Sequence, residues 1–512
     1  MEPTSGSGRN SPHSSEKYHV DHVEAHNVGH EDVVTAAERG HAATDEHGHV
    51  LVDLDPAAEK RLLRKIDLYV VPTVAMIYLW CFIDRANIGN ARIAGMEKTL
   101  GLVGYQYNTL LTAFYVSNIL CKHVGPSKWI PFISFGFGLM SMATAFVRNY
   151  GGAIAVRFLL GVFEAGVLPG IAYYLSRWYR KQELIFRLAL YLCTAPLAGA
   201  FGGLLSAGIL KIGSIGSVKG WEMLFLVEGI ITMGVSFIAF FTMPDHPSTA
   251  RWLNAEEKAL AIARIKSENV ATTEVTDKLD KVKLKRGIFN PNTLVVSWTF
   301  LFVNITVQGI AFFTPTIIST IYPHYSTIRK QLYTVPPYLV GVVFNLLIPF
   351  LSWKMNRRLV FFIASAVLPI VGYTIFIATT NPHARYGAVF IAISGAFPFG
   401  PLCNAQVAIN VLSDNARSTA IGWNVMIGNL GGLISTWSYM PADGPNYHIG
   451  NGLNLAGNCT ILITSALLLL WLQRDNRHRE QVEDEKTAEL ANLSEKEIQE
   501  LDWKHPAWRW RT

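Results

Sequence analysis

From Leu68 to Gln473 the chain repeats one pattern: a long apolar run, a short polar joint, another apolar run. A helix needs about 20 mostly apolar residues to cross a hydrocarbon core, and only helices and closed barrels satisfy every backbone group there. Spans are expected near 67–88, 105–121, 129–147, 152–176, 187–210, 221–243, 293–319, 332–353, 359–379, 385–411, 417–440 and 454–473. That makes twelve, in an all-α membrane protein. Only 16% of the residues are charged, against about 25% in soluble domains. This excludes an ordinary cytosolic enzyme, a disordered chain and a collagen-like chain.

The joint between spans six and seven is long and charged, so the chain divides into two sets of six. Residues 1–60 form a disordered tail, 61–243 a first six-helix bundle, 244–292 a linker, 293–475 a second bundle and 476–512 a charged tail. Eight of the 15 histidines fall between His13 and His49. Their irregular spacing favours a solvated tail over a metal site. The five cysteines show no CxxC pair, so neither a disulfide framework nor a zinc site is expected. With the N-terminus inside, the inner segments hold 26 Lys and Arg and the outer segments 9. That bias places both termini in the cytosol. It also explains the net charge of +6 without nucleic acid.

Charged side chains within spans are costly and mark function more often than not. Span four holds Arg157 and Glu164, seven residues apart and therefore on one helix face, with Gly161 between them. That face is expected to look at a cavity. Arg157 suits anion binding through its planar fork, or tuning of a nearby acid. Glu164, desolvated near the midplane, suits proton carriage, and a structural ion pair with another span is the bland alternative. Asp84, Arg85 and Asn87 close span one, either as a polar helix end at the outer interface or as part of a substrate entrance. Asn304 and Gln308 in span seven, Gln406 in span ten and Asn429 in span eleven are either ligand contacts or interhelical glue.

Glycines at 199, 202, 203 and 208 in span five, and at 422, 428, 431 and 432 in span eleven, permit close helix approach. Pro169, Pro196, Pro315, Pro349 and Pro398 are expected to bend their helices. No GxxxxGK[ST], HExxH or GxSxG occurs, so no enzyme, ATP drive or cofactor is expected.

Several segments carry a resemblance. They include Phe82-Ile83-Asp84-Arg85-Ala86-Asn87-Ile88-Gly89-Asn90, Val124-Gly125-Pro126-Ser127-Lys128-Trp129 and the stretch Arg157 to Gly170. Leu226-Val227-Glu228-Gly229, Met243-Pro244-Asp245 and Ala442-Asp443-Gly444-Pro445-Asn446-Tyr447-His448 continue it. Together they resemble the major facilitator superfamily, within it the fungal anion:cation symporters related to allantoate and nicotinate permeases. The resemblance implies the major facilitator fold and alternating access. It also implies proton-driven uptake of a small organic anion such as nicotinate, allantoate or pantothenate, by a monomer in the plasma membrane. It matches Arg157 to the span-four arginine associated with proton coupling or substrate binding. The sequence departs from the family pattern in span two. There Phe114-Tyr115-Val116-Ser117 runs directly into Asn118-Ile119-Leu120-Cys121. About eight residues, roughly two helical turns, are missing. A membrane sensor that no longer transports, or an inactive transporter, is therefore the alternative.

Overall fold

The computed structural model describes residues 56–116, 126–180, 183, 187, 190–213, 216, 218, 220–266, 281–411, 414–482, 502–504 and 508–512. The histidine-rich segment, residues 117–121 of span two and the middle of the linker lie outside them. The expectations for the tail and for the shortened part of span two therefore have no structural counterpart here.

A helix occupies each of the twelve expected spans, and among the described residues eight helices are long and apolar enough to cross a membrane. Spans two, three, four and eleven supply the other helices. Span two is described only over Gln106–Val116, and span three is the 19-residue helix Pro126–Thr144. Span four is divided into Tyr150–Glu164 and Val167–Ser176. Span eleven, Asp414–Ser435, is long but carries amides and glycines where it faces other helices. The outward faces are apolar: Ile463, Leu467 and Leu470 of span twelve are 58%, 61% and 62% exposed. So much exposed aliphatic surface is tolerated where lipid covers it.

Within each half, small residues bring backbones together. Gly229 of span six lies on span three, where an added Cβ would meet the Met142 nitrogen at 2.5 Å. Gly431 of span eleven lies on span seven, where it would meet the Leu301 carbonyl at 2.1 Å. Between the halves, span one meets span seven, span five meets span eight, and span two meets span eleven. The span-five glycines serve that seam. Gly199 packs on the Tyr338 ring and Gly203 on Thr334, while Gly208 faces open space.

These contacts between halves concentrate toward the end remote from the linker. Asn108 donates to the Thr436 carbonyl at 2.6 Å, Thr112 Oγ1 lies 3.1 Å from Thr436 Oγ1, and Trp437 Nε1 donates to Thr112 at 3.1 Å. At the linker end each half holds its own part of the linker. Helix Ala255–Lys266 sits on span one through Lys65–Glu257 at 2.7 Å, and Trp252 stacks between Tyr69 and Trp178. Helix Lys281–Ile288 lies on span eleven, with Gly287 against the Ala416 carbonyl.

The last residues are not a free tail. Trp510 is buried, and its Nε1 donates to Asp475 Oδ2 at 2.6 Å. The Arg511 amide donates to Asn410 Oδ1 at 2.9 Å, and Gln406 Nε2 donates to the Arg511 carbonyl at 2.9 Å. The expected charged tail 476–512 thus begins inside the helix His448–Gln481 and ends docked on the second bundle.

Candidate functional site

Three spans are interrupted at one level. Span four breaks after Glu164, span five before Thr194, and span ten between Ala396 and Phe399. Pro169, Pro196 and Pro398 sit at these interruptions, in a first helical turn or at its cap, where a missing N–H costs little. Pro315 and Pro349, in contrast, lie inside continuous helices. Interrupted helices at membrane depth occur where backbone borders a cavity. Here one lies between the two halves, with about 910 Å³ of empty space when its open mouth is included. Glu164, Ala195 and Gly400, each next to an interruption, line it.

The cavity's cation is Arg85. Its Nε donates to Glu164 Oε1 at 2.9 Å, and its Nη2 bonds the same oxygen. The guanidinium lies over the Phe114 ring at 5.2 Å and near Phe82 at 5.6 Å. Planar stacking with edge-on hydrogen bonding suits arginine and not lysine. Cys81 Sγ donates to the same Glu164 oxygen at 3.0 Å, while Oε2 of Glu164 is buried without a hydrogen-bond partner. The opposite wall, from the second half, brings amides. Asn304 donates to its own helix at Phe300 O, 2.9 Å away. Asn404 accepts from Asn424 at 3.1 Å. Gln308 is buried with no partner for its Oε1, and Asn429 also lines the cavity.

The expectation that Arg157 and Glu164 face one cavity is not met. Seven residues place Arg157 about 10 Å farther along the helix, and it does not line the cavity. Its guanidinium lies over Phe225 at 4.9 Å, and its Nε and Nη2 have no hydrogen-bond partner. Glu164 pairs instead with Arg85 of span one. The reading of Asp84 as a helix end at the interface also fails. The helix Pro56–Ile93 continues past it, and Asp84 is fully buried. It accepts from Ser141 at 2.7 Å and from Thr232 at 3.3 Å. Asn87 is likewise buried, accepting from Ser206 at 3.4 Å. Gln406 is glue: besides Arg511, it donates to Asn292 at 3.1 Å. The structure therefore brings Arg85, Glu164, Asn304, Gln308 and Asn429 to the cavity and sets Arg157, Asp84, Asn87 and Gln406 apart from it.

Sequence reasoning missed Cys81 and Glu228. Glu228 is an acid in the middle of span six, fully buried, and intramembrane charge alone could have flagged it.

Two six-helix halves meeting around a cavity, sealed at one end, define a membrane transporter fold. The sequence matches the Major Facilitator Superfamily over residues 74–436, and the chain belongs to that family. It is 32% identical over 470 residues to an uncharacterized transporter of Schizosaccharomyces pombe, covering 89% of this chain and 91% of the relative. It is 30% identical over 471 residues to the high-affinity nicotinic acid transporter of Saccharomyces cerevisiae, covering 90% and 86%. The fold also matches the xylose transporter XylE from E. coli, solved in a partially occluded inward open conformation. There the TM-score is 0.58 at 14% identity, covering 80% of this chain and 97% of that one.

Proposed function

We propose that this transporter imports a small organic anion, of the size and charge of nicotinate, allantoate or pantothenate, together with a proton. The observation that carries the reading is Arg85. A guanidinium lies in the cavity between aromatic rings and is held by one carboxylate that a substrate carboxylate can replace. Glu164 and the anion compete for the same donors. An ionised Glu164 keeps Arg85 for itself, and a protonated Glu164 releases it. Anion and proton therefore enter as a pair, which is the condition for symport. Amides at Asn304, Gln308 and Asn429 give the second half polar contacts to the rest of the substrate, and the aromatic rings suit a planar one.

With both termini cytosolic, the sealed end faces outward and the present state is inward-facing. Alternating access then consists of opening the seam at Asn108–Thr436 and Gly203–Thr334 while the linker ends close. The cavity is formed by one chain, so a monomer suffices, and the plasma membrane is its proposed location. The test is uptake of radiolabelled nicotinate, allantoate and pantothenate into cells with the chain confirmed at the surface, with and without an uncoupler. Uncoupler-sensitive uptake of one anion is expected. Uptake of none would favour the sensor or inactive-transporter reading, or another substrate class, and uptake indifferent to the uncoupler would refute the proton coupling.

A further inference from the structure

Two helical turns beyond Arg85, on the same face of span one and about 10 Å nearer the sealed end, stands Arg92. Span two runs the other way and repeats the step, with Tyr107 two turns before Phe114. The two arginines are built alike. The Arg85 guanidinium lies over Phe114 at 5.2 Å and gives two donors to one oxygen of Glu164. The Arg92 guanidinium lies over Tyr107 at 4.3 Å, and its Nε pairs with one oxygen of Glu97 at 2.8 Å.

What Arg92 lacks is a further acceptor. Its side chain is only 10% exposed, and its Nη1 is buried without a hydrogen-bond partner. The Tyr107 hydroxyl, on the ring beneath it, is buried and equally unmet. Unmet buried donors are costly and call for a reason. Glu97 is also a looser holder than Glu164: its side chain is 35% exposed against 1%. A carboxylate so open to water gives up its partner readily.

The second half closes over this place. Tyr107 meets Phe313 of span seven edge-on at 6.3 Å, Phe313 meets Tyr439 at 4.9 Å, and Tyr439 meets Tyr447 at 5.4 Å. Tyr447 in turn lies within electrostatic reach of Arg92 and Glu97. This chain of rings crosses from the first half to the second. Opening the sealed end must part it, and that uncovers Arg92 and its unmet donors.

We propose that Arg92 and Tyr107 form an outer anion station, which takes the substrate carboxylate from outside when the sealed end opens and passes it along span one to Arg85. The inference rests on the proposed uptake and adds a second contact to it. The guanidinium and the hydroxyl offer donors to the two oxygens of one carboxylate. On closure the rings cover the station, Arg92 returns to Glu97, and Arg85 is left as the only cation for the anion to hold.

The test is the concentration dependence of radiolabelled nicotinate uptake, in cells with each variant confirmed at the surface. Arg92→Gln should raise KM about tenfold, the worth of one charge-assisted hydrogen bond, and leave Vmax near that of the wild type. Glu97→Gln removes the competitor and should lower KM by about threefold, as for a weak exposed pair. Added salt outside should raise the KM of the wild type more than that of Arg92→Gln, because attraction by an outer charge is screened. A fall in Vmax at unchanged KM in Arg92→Gln would make the residue part of the seal alone and overturn the proposal. A Glu97→Gln KM at or above that of the wild type would overturn it too, and this variant decides if Arg92→Gln does not reach the surface. Uptake that Arg85→Ala abolishes but neither variant shifts would refute the station alone. A chain that takes up none of nicotinate, allantoate and pantothenate would refute the anion reading, and the station with it.

Discussion

At Gly89 the backbones of the two halves meet at the sealed end, and Gly89→Ala tests the seam directly. A Cβ there would sit 2.4 Å from the Phe312 carbonyl oxygen and 3.4 Å from Pro315. The obstacle is backbone, which cannot rotate away, so spans one and seven must part by about 1 Å to reach ordinary contact at 3.4 Å. Overpacking of this kind costs about 1–3 kcal/mol. The clash exists only while the sealed end is closed, so that energy falls on the inward-facing state alone. The population should move toward the outward-open state by a factor of about 5–150. The assay places a cysteine at Thr334, beside Gly203 in the same seam, and measures its labelling by a membrane-impermeant maleimide from outside. Wild-type protein should label slowly, and Gly89→Ala faster by that factor. Gly208→Ala, whose Cβ meets nothing within 4 Å, should change nothing. A lowered melting temperature with unchanged labelling would refute the reasoning, because it would mean that the contact stabilises both states alike.

Other outcomes follow from the same geometry. Arg85→Ala should abolish uptake of any anion the wild type carries. Arg85→Lys keeps the charge but not the planar fork, and should raise KM by about tenfold, near 1.4 kcal/mol, in the same uptake assay. Trp510→Ala removes a buried ring from the base of the second half and should cost about 3 kcal/mol, read as a lower melting temperature of the purified chain. The Lys65 ammonium and the Asn254 amide hold the Glu257 carboxyl below the usual carboxylate range. Its small stabilisation, at most about 1 kcal/mol for a partly exposed pair, is present at neutral pH and is lost as pH falls through the folded-state pKa. Glu257→Gln should therefore melt slightly below the wild type at pH 7, with the difference vanishing in acid.

The architecture was legible because a bilayer imposes one simple rule: apolar runs of a set length. The helix interruptions were half legible. Pro169, Pro196 and Pro398 signalled bends, but not that the bends share a level and frame the cavity. The site was less legible, and the reason is depth. Spacing by seven puts Arg157 and Glu164 on one face about 10 Å apart in height, but it does not say at which height the cavity lies, and the cavity is lined by Glu164 and Arg85. Hydropathy ended span one near residue 88, since Asp84, Arg85, Asn87 and Asn90 look like a terminus. The helix instead runs to Ile93, because spans three, five and six supply the hydroxyls that let those groups be buried. The docking of Arg511 depends on amides more than a hundred residues away in sequence, and that of Trp510 on Asp475 and Asn476, partners that no local pattern reveals.

The exchange of Glu164 for a substrate carboxylate at Arg85 is the centre of the account, and Glu164→Gln in proteoliposomes tests it most directly. The amide cannot hold Arg85 as an ion or carry a proton. Nicotinate should therefore exchange across the membrane in counterflow, while accumulation driven by a pH gradient falls to the level of empty vesicles. A Glu164→Gln protein that still accumulates nicotinate along an imposed pH gradient would contradict the account.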